Sequence, residues 1–145
     1  MIKWRYPVRF STLLALAALL VLCAACEGGT SGSATGSRQR CSSTFREGQC
    51  SGSFKTLSGT YSVDVENDSV VSKAEVEVQA SVESGALRVY IKTPDDETQS
   101  VDVPAGGSAT LTGLAKGMGD GFFVYFEAVE GQVQGVQYEI AYQVP

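Results

Sequence analysis

The 145-residue chain carries 16 acidic residues against 11 Lys plus Arg, and no histidine at all. The missing imidazole removes the commonest general base and the commonest zinc ligand. The acidic balance argues against nucleic acid as a partner, since nothing beyond the first residues gathers enough positive charge to hold phosphates.

Residues 1–10 hold Lys3, Arg5 and Arg9 and no acid, and Leu13 to Ala25 is an unbroken apolar run of 13. A membrane-spanning helix needs about 20 apolar residues. The shorter run behind a positive segment matches a secretory signal. It ends in Cys23-Ala24-Ala25-Cys26, which resembles the lipobox of bacterial lipoproteins, where small residues precede the cysteine that becomes a lipidated N-terminus. Leu22 stands one place earlier than the Leu usual in that pattern. The resemblance implies a signal peptide over 1–25, acyl chains (palmitate among them) on Cys26, and a lipid-anchored place in the bacterial cell envelope, outside the cytoplasm. Glu27 rather than Asp after the cysteine favours the outer membrane where two membranes exist. Ordinary cleavage after Ala25 and an uncleaved tilted anchor are the competing readings.

Without residues 1–25 the chain has 8 basic residues against 16 acidic, a net charge of −8. Residues 26–40 hold Gly, Ser, Thr and polar residues with nothing to bury, and read as a flexible tether. Cys41 and Cys50 then remain as one pair in a disulfide-permitting compartment, closing the loop "CSSTFREGQC". Two free thiols are the alternative. A zinc site is not, for want of further ligands.

From residue 41 to 145 the period is two, and the expected fold is all-β, a small antiparallel β-sandwich of about seven strands. "TYSVDVE" places Tyr61, Val63 and Val65 on one face. "KAEVEVQASVE" places Ala74, Val76, Val78, Ala80 and Val82 inward, with Glu75 and Glu77 toward water. "ALRVYIKT", "QSVDV" and "SATLTG" follow, then "GFFVYFEAV", apolar on both faces, and "VQYEIAYQV". Glu83-Ser84-Gly85 and Glu130-Gly131-Gln132 read as hairpin turns, and "TPDDET", "VPAGGS" and "KGMGDG" as loops. The architecture is immunoglobulin-like or jelly-roll-like. The only Trp, Trp4, lies in the signal, so the buried Trp of antibody domains is absent and that likeness is architectural.

Catalytic parts are missing. No serine sits in a Gly-x-Ser-x-Gly turn. "KGMGDG" lacks the Lys-Ser/Thr of a phosphate loop. No catalytic residue and no cofactor is assigned, and a non-enzymatic protein is expected. Asp95, Asp96 and Glu97, or the acids of "DVEND" at 64–68, offer oxygen ligands for calcium, yet neither run has the glycine of a calcium loop. Asn67-Asp68-Ser69 reads as a turn. On "GFFVYFEAV", Phe122, Val124 and Phe126 share one face and Phe123 and Tyr125 the other. The second set is expected to be covered by "SGSFKTLS" through Phe54 and Leu57. Alternatively, with Tyr90, it forms an aromatic binding face for an envelope protein or a carbohydrate. The function expected is a membrane-anchored, non-catalytic binding or envelope-accessory module. The alternative is a calcium-dependent or small hydrolytic domain.

Overall fold

A computed structural model of the chain describes residues 32–145. The signal reading and the lipidation of Cys26 fall outside the described residues. Eight strands follow in order: β1 Ser33–Thr35, β2 Arg38–Ser43, β3 Glu47–Glu66, β4 Lys73–Ser81, β5 Leu87–Lys92, β6 Thr98–Val103, β7 Ser108–Lys116 and β8 Gly121–Gln143. Every pairing is antiparallel. The fold is the expected all-β sandwich, made from one sheet folded over on itself.

β3 and β8 run the whole length of the domain side by side. Their register breaks between Ser58 and Thr60, which pair with Gln132 and Glu127. Gly59 and Gly131 there have φ of 67° and 60°, a conformation open to glycine at little steric cost. At this corner the ladder turns from one layer into the other. The first layer contains β2, the first half of β3, the second half of β8, β4 and β7. The second contains the remaining halves of β3 and β8, with β5 and β6. β7 packs beside β5 and β6 without a ladder. There the Gln99 amide donates to the Thr112 carbonyl at 2.7 Å, tying the layers' open edges together.

The inward residues of "KAEVEVQASVE" and "ALRVYIKT" are buried as their alternation predicts, with Leu87, Val89 and Ile91 fully enclosed. Phe54, Phe122 and Phe126 are the largest fully enclosed side chains, and Tyr138 and Tyr142 join them in the core. Burying such rings contributes about 1.5–3 kcal/mol apiece in transfer free energy.

Four expectations need correction. The tether over 26–40 gives way to strand at Ser33, because β1 and then β2 find the free edge of β3. The sandwich thus begins ahead of residue 41. The last two expected strands are one, β8, since Gly131 bends the chain at the corner instead of reversing it. Glu83-Ser84-Gly85 is not a hairpin turn either. It carries the chain from β4 in one layer to β5 in the other, and Gln134 Nα donates to the Ser84 carbonyl at 3.0 Å on the way. Merging two strands and adding β1 and β2 turns seven strands into eight. The Cys41–Cys50 disulfide forms as expected, between residues directly opposite on β2 and β3, with Cα atoms 4.1 Å apart.

Candidate functional site

Two outward faces carry the chemistry. On the second layer, strand alternation puts Phe123 and Tyr125 of β8 and Tyr90 of β5 on the outside, all half-buried. The covering segment expected over them is absent. Phe54 and Leu57 belong to β3 and are buried in the core, where Phe54 meets Tyr61, Phe126 and Tyr138. Tyr90 and Tyr125 are register partners and stack with centroids 4.8 Å apart and planes 6° from parallel. Each therefore spends a ring face on the other. Burial, then the charge of Glu127, holds the Tyr90 phenol above its ordinary range.

One row along, Arg88 bridges two acids across three strands. Its Nε donates to Asp102 Oδ1 at 2.8 Å, and its Nη1 stands 3.8 Å from Glu127 Oε2. The hydrogen bond from Arg88 lowers the Asp102 carboxyl, and the same bond raises the guanidinium.

The second face lies on the first layer. Register places Glu47, Gln143, Glu75 and Leu114 in one row across β3, β8, β4 and β7, and Gln49, Ala141, Glu77 and Thr112 in the next. Ala141 is short, so the floor of the second row is low. The turn after β2 rises on one side and the β5–β6 turn on the other. Together they shape an open groove of about 1310 Å³. Five carboxylates line it (Glu47, Glu75, Glu77, Asp95 and Glu97) against one cation, Lys73. All five are exposed.

The three calcium candidates separate. In the β5–β6 turn Asp96 adopts φ 63°, and Asp96 Nα donates to the Thr93 carbonyl at 2.9 Å. The Asp96 carboxylate pairs with Lys116, while Asp95 and Glu97 line the groove. Among the described residues, no group of three or more acidic or cysteine side chains converges as a metal ion requires. Asn67 closes its own turn by accepting from Ser69 Nα at 2.9 Å.

The groove set was only half legible beforehand. Alternation in "KAEVEVQ" sends Glu75 and Glu77 to one face, but pairing with Glu47, twenty-six residues before Lys73 in the chain, depends on β8 lying between β3 and β4.

No family model matches the chain, and no curated protein matches it in sequence. Among solved structures, oxalate oxidase with the substrate analogue glycolate is similar at TM-score 0.42 and 16% identity, over 81% of this chain and 55% of that one. This chain thus spans little more than half of that protein's length. A structure described as BiXyn10A CBM1 APO is similar at TM-score 0.41 and 9% identity, over 64% of this chain and 74% of that one. A cupin domain from Bordetella pertussis Tohama I gives TM-score 0.34 and 13% identity, over 77% of this chain and 98% of that one. At such scores none of them carries a chemistry across to this chain.

Proposed function

We propose that the protein is a non-catalytic binding module, held on the outside of a bacterial membrane by lipid on Cys26, that takes a cationic segment of an envelope protein into the groove of its first layer. The observation that carries this reading is the line of five exposed carboxylates facing one lysine along an open concave floor. Charge of one sign in a cleft raises the local concentration of an oppositely charged partner and steers its approach. Open exposure of all five favours binding over hydrolysis, because a catalytic acid at neutral pH needs an apolar pocket to keep its proton. Cys26 and Gly32 are six positions apart, a reach of at most roughly 20 Å, so lipid there would keep the β1 edge near the bilayer.

Two measurements test the two halves separately. Metabolic labelling with a fatty acid should tag the wild type and not Cys26→Ser, and equal labelling removes the anchor from the proposal. Fluorescence anisotropy with a labelled oligolysine peptide should show binding that weakens with salt and falls at least tenfold in Glu75→Gln/Glu77→Gln. Unchanged affinity in that variant removes the groove.

A further inference from the structure

The first two strands are attached differently from the rest. β2 is exposed at all six positions, and of residues 33–43 only Ala34 packs, in part, against the core. Strands that bury no side chains rest on ladder hydrogen bonds, which water replaces at an edge with little net loss. Beyond them, β2 has the bond from Cys41 to Cys50 and the Gln39 amide, which donates to the Asp64 carbonyl at 3.2 Å. The turn that follows is tied down separately. Asn67 Nδ2 donates to the Thr44 carbonyl at 3.3 Å and Val144 Nα donates to the Arg46 carbonyl at 2.6 Å. The strip thus has a fixed end at Thr44–Arg46 and a covalent fastening at Cys41, three residues before it.

The two sulfurs are unequal. Cys41 is exposed, whereas Cys50 is 1% exposed and belongs to the core. We propose that Cys41–Cys50 is a redox latch on a detachable edge, and that reducing it frees residues 33–43 from β3 while the sandwich stays folded. The reductant is an extracytoplasmic dithiol. Its thiolate attacks the accessible Cys41 sulfur, the Cys41–Cys50 bond breaks, and Cys50 leaves as thiolate and takes a proton. The second thiol of the reductant then attacks the mixed disulfide and releases Cys41, so two electrons pass to the protein and the dithiol closes to a disulfide. What opens is the outer edge of β3 from Gly48 to Ser58, whose backbone groups on that side lose their partners in β2 and β1. β3 keeps its ladder to β8 on the other side, and none of the large core rings comes from the released strip. The latch rests on the extracytoplasmic placement proposed above, and on neither the lipid nor the groove.

Hydrogen exchange read by mass spectrometry on the full chain, before and after dithiothreitol, tests this. Exchange should quicken at least tenfold over 33–43 and at alternate amides of 48–58, with β4, β7 and β8 unchanged. Faster exchange through β4 and β7 as well would mean that the bond holds the whole fold, and overturns the proposal. No change anywhere would mean that the edge stays without the bond, and overturns it too. Cys41→Ser, never reduced, should reproduce the first pattern, and a Cys41→Ser chain that does not fold also counts against the latch. A glutathione disulfide challenge of the reduced protein should leave its adduct on Cys41, and an adduct confined to Cys50 contradicts the assigned order of attack.

Discussion

Tyr142 and Tyr138 sit four residues apart on β8, each 4% exposed, and each lies over the glycine opposite it on β3. Gly48 is the partner of Tyr142 and Gly52 of Tyr138. The nearest atoms to a Cβ at Gly48 all belong to the Tyr142 side chain, whereas one at Gly52 would meet the Tyr138 ring and also the Arg38 carbonyl of β2 at 2.5 Å. The hydroxyls differ as well. Tyr142 Oη accepts from Asn67 Nδ2 at 3.0 Å, but Tyr138 Oη is buried with no partner. Two copies of one packing device thus have different costs. The glycines are there because rings of the neighbouring strand occupy the space of their side chains, and what each ring's polar end finds decides whether the device is free of penalty.

The largest expected effect lies at the glycines. Gly52→Ala should destabilise by about 3 kcal/mol and Gly48→Ala by about 1–2 kcal/mol, since at Gly52 a backbone carbonyl must move along with a ring. Denaturant melts of the two variants measure the gap, and equal losses would break the distinction.

Next comes alkaline pH. Burial pushes the Tyr138 phenol up to about 12, so the folded chain keeps a proton that the unfolded chain releases near pH 10. The stability tied to that proton is complete below about pH 10 and falls as pH rises toward 12 by roughly 2–3 kcal/mol. Tyr138→Phe should flatten this limb. A limb unchanged in that variant would detach it from Tyr138.

The smallest effect is read at neutral pH. Tyr142→Phe should cost about 1 kcal/mol through the lost Asn67 bond, while Tyr138→Phe should be neutral or slightly stabilising, because it removes a buried hydroxyl that bonds to nothing. Thermal unfolding of the pair sharpens the contrast, and a clear loss in Tyr138→Phe would show that its hydroxyl has a partner.

Legibility followed the strength of local patterning. β4 could be read to the residue, since Ala74, Val76, Val78 and Ala80 alternate with Glu75, Glu77 and Gln79 and the two sets fall on opposite faces as written. The first half of β3 could not. "EGQCSGS" has Gly48 and Gly52 at inward positions, so its apolar alternation is broken just where the tyrosines of β8 supply the missing bulk. The disulfide pair was readable from cysteine arithmetic. The acid-lined groove was readable only as two outward glutamates on β4.

The sequence by itself therefore determined the class of fold, the inward face of each strand whose side chains alternate, and the one possible disulfide of the domain, because side-chain period and cysteine number are local properties of the chain. Tertiary structure alone decided that residues 121–143 bend through Gly131 without reversing, that β8 lies between β3 and β4, and that Glu47 faces Glu75 and Glu77 across one floor. A glycine with φ near 60° serves a bend and a hairpin equally well, and only the strands waiting on either side of it choose between them.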